Sequence, residues 1–360
     1  VHAKKKRGPT VVVRCATMKI AGAVDLARLG LLRVASVALM AGMSGTACGG
    51  REIDEAPAMV QSDGGGGGAE AAPSHAQLVP TQNGLQSIWG SSEADIWAVG
   101  DSGTIVHFDG SAWTLVDSGV TDNLTSVRGT GPSDVWAVGD AGSVLHWDGS
   151  AWTVVSQVGL PLLGLWAFAP DDVWAVGVDF GGFGGSGFVH HWTGASTGWQ
   201  DADVPGTDTL WRVWGSGSHD VWLAGASSGA GATFHGDGMN FDSVAFTGDP
   251  LHGIWGSGPD DVWATTSTGS IEHWTGSAWS PAPALSSSGQ GLFGVGGSGP
   301  DDVWTVGVGG VVAHYAAGSW TISPTPTIET LFSVWSDTPS NAWLVGAHGT
   351  ILRWSGAAWQ

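Results

Sequence analysis

From Leu85 onward the apolar positions fall in short runs of four to six residues, broken by Gly, Pro, Asp or Ser. No run keeps the 3.6-residue spacing of an amphipathic helix, so each reads as a strand. Four such segments recur in order. The first is Leu-x-x-aliphatic-Trp-Gly, as in LQSIWG (Leu85–Gly90); the second is DVWAVG, as at Asp134–Gly139. The third is Gly-x-x-x-His-aromatic, as in GSVLHW (Gly142–Trp147), and the fourth begins SAWT, as at Ser111–Thr114. The tryptophans of the second segment are Trp97, Trp136, Trp174, Trp222, Trp263, Trp304 and Trp343, spaced by 39, 38, 48, 41, 41 and 39 residues. A period near 40 with four strands per unit predicts an all-β chain, a seven-bladed β-propeller of four-stranded antiparallel blades spanning residues 74–360. Stacked blades cover each strand on both faces, which is what the 23 tryptophans are for.

A ring of blades must also close. The last unit stops at AAWQ (Ala357–Gln360), a short outer strand, while QLVP (Gln77–Pro80) stands before the first unit at the distance of an outer strand. The expectation is that this N-terminal segment pairs with the final blade and covers its edge.

The repeat DVWAVG…HWDGSAWT resembles those of secreted β-propellers of myxobacteria and similar bacteria. It is similar to tectonin-type lectin repeats, and more loosely to the Asp-box (BNR) repeat of sialidase-like propellers. The resemblance spans about residues 85–360 and implies a fold more than an activity. DGSAW (Asp109–Trp113) departs in spacing from the Asp-box pattern Ser-x-Asp-x-Gly-x-x-Trp, so no Asp-box role is carried over.

The front of the chain reads differently. Residues 1–47 read as a mis-started reading frame followed by a signal peptide, with Met18 as the true start. Lys19, Arg28 and Arg33 precede the apolar run Val34–Ala47, too short for a membrane span. Gly45-Thr46-Ala47-Cys48 resembles a bacterial lipobox, which implies that Cys48 carries the lipid; an ordinary cleavage site beside a bystander cysteine is the alternative. Residues 48–73, with five consecutive glycines at Gly64–Gly68, read as a flexible acidic linker. The chain is therefore expected to be exported, at the outer membrane or cell surface as a lipoprotein, or extracellular.

Charge sharpens the list of partners. Eight of the 12 basic residues but only one of the 32 acidic residues precede Cys48. The propeller region is thus strongly acidic, which excludes nucleic acid and leaves the lipid anchor as the only expected link to a membrane. The chain's two cysteines, Cys15 and Cys48, lie outside the repeats, so neither a disulfide nor a thiolate metal site is expected in the propeller.

The candidate chemistry is mostly repeated chemistry. An aspartate opens the second segment in six units (Asp95, Asp134, Asp172, Asp220, Asp261, Asp302) and Asn341 does so in the seventh. The residue before it varies freely, so pairs such as Asp260–Asp261 in GSGPDDVW read as turn-closing scaffold that bonds backbone N–H groups. Calcium at these carboxylates is the alternative weighed, and no cofactor is expected. His107, His146, His191, His235, His273 and His314 share one third-strand position with Arg353. Spread over separate blades they cannot converge on one ion, so a bond to the recurrent Asp is expected, by analogy with the Asp–His–Trp arrangement of WD40 propellers. His190, His219, His252 and His348 break the register and are expected to be exposed. A sialidase site would need several arginines and a tyrosine nucleophile. The repeats hold three arginines, and Tyr315, the sole tyrosine, occupies a repeated aromatic position.

What breaks the repeat is where specific function is sought. Arg128 replaces a first-strand Trp, Arg212 falls two positions earlier in its own unit, and both are placed near the central channel as candidate ligand-binding residues. A structural use, stacked on a neighbouring Trp, is the competing reading. The insertion VDFGGFGGSG (Val178–Gly187) lengthens one second-to-third-strand loop. The expected protein is a monomeric, non-enzymatic binding propeller for a cell-surface protein or a glycan. A tectonin-like lectin is the alternative, with a polysaccharide hydrolase or lyase behind it.

Overall fold

The computed structural model describes residues 79–360 other than 180–185, 205 and 283–289. The leader, Cys48 and the linker therefore lie outside the described residues. Each repeat folds into an antiparallel meander, and seven meanders form a seven-bladed β-propeller. Blade 1 shows the pattern: Leu85–Ser92, Asp95–Gly100, Ile105–Phe108 and Trp113–Val116 lie side by side in sequence order. The first strands line the axis and lie against one another all round, including Leu331–Thr338 of blade 7 against Leu85–Ser92 of blade 1.

The hydrophobic core is divided among the seams between blades. Trp97 of blade 1 packs with Leu124, Val127 and Leu145 of blade 2, and Trp343 of blade 7 packs with Ile88, Val106 and Phe108 of blade 1. The leucine that opens six of the first strands, and follows Thr209 in blade 4, is wholly buried every time. Each seam thus combines apolar area on two facing sheets, which is the source of most of the stability.

Two glycine positions explain how closely the backbones approach. A Cβ on Gly100 would fall 1.9 Å from the carbonyl oxygen of Gly84, and one on Gly177 equally close to that of Pro161. In these blades the chain entering the first strand crosses the end of the second, and no side chain fits between; in blade 5 Thr266 takes the same place. One residue beyond the first-strand Trp, a Cβ on Gly129 would meet Trp89 at 2.7 Å, and one on Gly256 would meet Trp214 at 2.7 Å. Each of these indoles is seated against the next blade's backbone.

Blade 7 closes the ring with its own tail. Its three strands are Leu331–Thr338, Asn341–Gly346 and Ile351–Trp354; Trp359 bridges to Trp354, and Gln360 and Arg353 exchange both backbone hydrogen bonds. Ile351 and Leu352 have no outer neighbour strand among the described residues. Val79 borders the same cleft, about 720 Å³ in volume, with Trp113 of blade 1 and Gln360. Most of the segment expected to pair here, residues 74–78, lies outside the described residues, and Val79–Pro80 are not in a strand. Thr81 repeats a contact seen at two other blade entries: its carbonyl lies 2.3 Å from where a Cβ on Gly349 would sit, as those of Val120 and Thr327 lie 2.1 Å from the same point on Gly103 and Gly310. Part of the insertion in blade 3 extends strands, since Val178 pairs with Gly187 and Asp179 with Ser186.

Candidate functional site

The recurrent aspartates and histidines meet inside each blade and stay there. The Nε2 atoms of His107, His146, His191, His235, His273 and His314 lie 2.5–2.8 Å from Oδ1 of Asp95, Asp134, Asp172, Asp220, Asp261 and Asp302. Each imidazole also stacks on the tryptophan of its blade, with ring centroids 3.6–4.3 Å apart. The second carboxylate oxygen accepts a hydroxyl from four residues upstream: Ser91, Thr130, Ser216, Ser257 and Ser298 do so in five blades. This corrects the expectation of a turn closed through backbone N–H groups. That work is done by Asp109 and Asp148, whose Oδ1 atoms take two backbone N–H bonds and a serine hydroxyl, holding both carboxyls down at about 2.

Burial works to raise the carboxyls of Asp95, Asp134, Asp261 and Asp302. The bonds from histidine and hydroxyl, with the histidine charge, outweigh it and leave all four below the ordinary carboxylate value. Blade 7 permutes the roles. Asp337 takes the hydroxyl position and accepts from Asn341 Nδ2 at 2.7 Å; Asn341 Oδ1 accepts from Arg353 Nε at 3.1 Å, and Arg353 lies over Trp343. Asn341 Nδ2 and Arg353 Nε both find acceptors, with the carboxylate moved by four residues, while Trp343 Nε1 is left without one among the described residues. Among the described residues no three His, Cys, Asp or Glu side chains converge as a metal centre would.

Two of the four histidines expected to be exposed, His190 and His252, are buried. His190 is buried, bonded through Nδ1 to Asp201 and stacked on Trp199, and it faces Ser156 of blade 2. His252 is buried as well, between Trp211 and Phe293. Burial, with the charge of Arg212 adding to it, pushes its pKa down to about 4, so the ring is neutral at pH 7. His219 and His348 are exposed as expected.

The unrepeated residues gather at one end of the central channel. The residue after the first-strand leucine is Trp211, His252, Phe293 and Phe332 in blades 4 to 7, of which Phe293 and Phe332 border the channel. Their rings follow one another at 4.8, 5.4 and 5.8 Å, an aromatic arc over four adjacent blades. Gln86 and Thr125 occupy the same position in blades 1 and 2. The repeat could have revealed this arc, because the position is filled by unrelated residues in the first three blades and by aromatic rings in the last four.

Below the arc the channel narrows to a cavity of about 30 Å³ bounded by all seven first strands, and Arg128 and Arg212 both line it. Their side chains are pinned in the same way, two residues apart in register. Arg128 Nη1 donates to Val127 O at 2.7 Å and to Ile88 O of the preceding blade at 3.1 Å. Arg212 Nη1 donates to Trp211 O and to Leu163 O of the preceding blade, both at 2.9 Å. Arg128 also lies 5.7 Å over Trp166, so the stacking and the channel position expected as alternatives occur together. Burial pulls both guanidinium groups down to about 10, and in Arg128 the like charge of Arg212 adds to this. Both remain protonated at neutral pH. Among the described residues the arginine with a carboxylate within 4 Å is Arg353, beside Glu93 at 3.6 Å.

No protein-family model matches this sequence, and no curated protein does. Among solved structures it is similar to YCF48 bound to D1 peptide, at 18% identity and a TM-score of 0.60 over 77% of this chain and 93% of that one. The WD40 propeller domain of Doa1 matches at 12% identity and a TM-score of 0.62, over 77% and 94% of the two chains. Virginiamycin B lyase from Staphylococcus aureus matches at 11% identity and a TM-score of 0.61, over 76% and 96%. At these identities the likeness is one of fold.

Proposed function

We propose that this chain is a non-enzymatic binding propeller, exported and tethered through a lipid on Cys48, which presents its channel mouth to a protein partner at the cell surface. The observation that carries this reading is the separation of the two kinds of residue. The repeated Asp–His pairs are spent inside the blades, whereas the unrepeated Trp211, His252, Phe293 and Phe332 collect on one face over two arginines. Large rigid rings beside a buried cation are what a recognition hot spot needs, and no separated acid–base pair accompanies them. That the YCF48 structure holds a peptide is in keeping with such a use of the fold. Aromatic rings also stack on sugars, so a glycan is the second reading.

The test sets the full chain against a random peptide display library and a broad glycan array. Peptides enriched by the wild type and released by Trp211→Ala or Phe332→Ala, at least tenfold more weakly bound, support a protein partner. Retention on a defined glycan alone would replace that reading with the lectin. Product release from polysaccharides would refute both. The tether is checked separately: palmitate labelling in cells should disappear in Cys48→Ala.

A further inference from the structure

We infer that Arg128 and Arg212 form a carboxylate site within the channel, so that the ligand reaching the mouth is held by an acidic group inserted behind the aromatic arc. This rests on the reading of the mouth as the binding face and adds the chemistry that it selects. Each guanidinium carries five N–H donors, and among the described residues it is bonded through Nη1, to carbonyls of its own and the preceding blade and, in Arg128, also to Ser87 Oγ. Those bonds fix the planes of both groups and leave the opposite edges for another acceptor. The side chains around them are neutral: Ser87, Thr125, Ser126 and Ser333 line the same cavity and supply hydroxyls without charge. His252, which feels the charge of Arg212, offers no negative charge in either protonation state.

Two like charges in a narrow, poorly solvated channel are costly unless an anion joins them. The strongly acidic propeller supplies none among the described residues within reach of either arginine. Size then selects among anions. A cavity of about 30 Å³ has room for roughly two water molecules, each needing about 10–15 Å³ by the same measure. A planar carboxylate matches the fork of a guanidinium edge and is the smaller of the anions that do so. The aromatic arc outside it would cover the apolar part of the same ligand.

The probe is sodium formate, titrated into the full chain against sodium chloride at equal ionic strength. Melting temperature and tryptophan fluorescence are followed, the latter because Trp166 lies under Arg128. A saturable rise in melting temperature and a fluorescence change with formate, absent with chloride, are expected. Arg128→Gln with Arg212→Gln should weaken formate binding at least tenfold, and Arg128→Lys should retain part of it. Identical responses to the two salts, or an unchanged formate response in the double variant, would overturn the proposal. Trp211→Ala separates the two readings, since its ring lies outside the cavity that holds the arginines: it should weaken peptide binding while formate binding persists. Formate binding without any peptide ligand would leave the carboxylate site standing and remove the protein partner.

Discussion

Asp302 allows the internal relay to be tested by transplanting one blade's solution into another. Its side chain is 4% exposed and accepts from Ser298 Oγ, Trp304 Nε1, His314 Nε2 and, across the seam, Ser336 Oγ. Asp302→Leu would leave Ser298 Oγ, Trp304 Nε1 and His314 Nε2 without this acceptor, Ser336 Oγ keeping the Thr338 carbonyl, and should cost about 3–5 kcal/mol, the range for breaking a buried ionic pair. Asp302→Asn keeps one oxygen for Trp304 and His314 and loses the charge that strengthens those bonds, so about 2 kcal/mol is expected. Blade 7 already shows an Asn in this place, with Asp337 four residues upstream and Arg353 in the histidine position. The triple variant Ser298→Asp, Asp302→Asn, His314→Arg rebuilds that arrangement in blade 6. If hydrogen-bond accounting governs the position, the triple variant should recover most of the loss of the single Asn variant. Urea unfolding followed by tryptophan fluorescence gives the comparison. A triple variant no more stable than Asp302→Asn alone would refute the idea that the two relays are equivalent.

Other outcomes follow from the same geometry. His252 binds its proton less readily when folded, with its pKa moved from 6.5 to about 4, so stability should fall as pH drops from 6.5 towards 4 by up to about 3 kcal/mol. His252→Phe should remove that slope in thermal melts across this range, and an unchanged slope would disprove the assignment. Below pH 3.8 a second loss is expected as Asp95, Asp134, Asp261 and Asp302, whose folded values are depressed, take up protons. Trp174→Ala removes a buried ring from the seam with blade 4 and should cost about 3–5 kcal/mol in urea unfolding. Deleting residues 74–81 removes Val79 from the blade 7 cleft and the Thr81 carbonyl from beside Gly349, and should lower the melting temperature by several degrees. An unchanged melting temperature would show that the tail at Trp359–Gln360 closes the ring unaided.

The architecture was legible because it is stated seven times. Period, strand count and the Asp–His pairing all follow from residues that recur at one place in each unit, so one reading serves every blade. Details were lost where an argument had to rest on a single residue. The recurrent Asp was read as bonding the backbone because its hydroxyl partner, four residues upstream, takes the forms Ser, Thr and Asp and is missing at Phe168 in blade 3. His190 and His252 were read as exposed because they stand outside the repeated position. Their burial depends on Trp199 and on Trp211 and Phe293, and the latter pair come from neighbouring blades that sequence spacing alone does not bring together.

The departures from the repeat are themselves coupled, and this explains why the channel could acquire new chemistry. A first-strand Trp is matched by a glycine in the next blade: Trp89 faces Gly129, Trp214 faces Gly256, Trp255 faces Gly297, and Trp335 faces Gly90. Where the Trp is absent, so is the glycine. Arg128 is followed by Ala167, and Gly296 is followed by Ser336, whose hydroxyl bonds Asp302 in the space an indole would fill. The packing constraint at this position is thus local to one seam, and exchanging both partners releases it without disturbing the other six. At the seam after blade 2 the exchange freed a side chain to turn into the channel. Arg212 entered by a different route, at a position where Gly164, Gly253 and Gly294 are held small by the next blade's backbone or side chains. That two independent departures bring like charges to one cavity, each pinned by carbonyls of the preceding blade, argues for a shared anionic ligand more strongly than either arginine would alone.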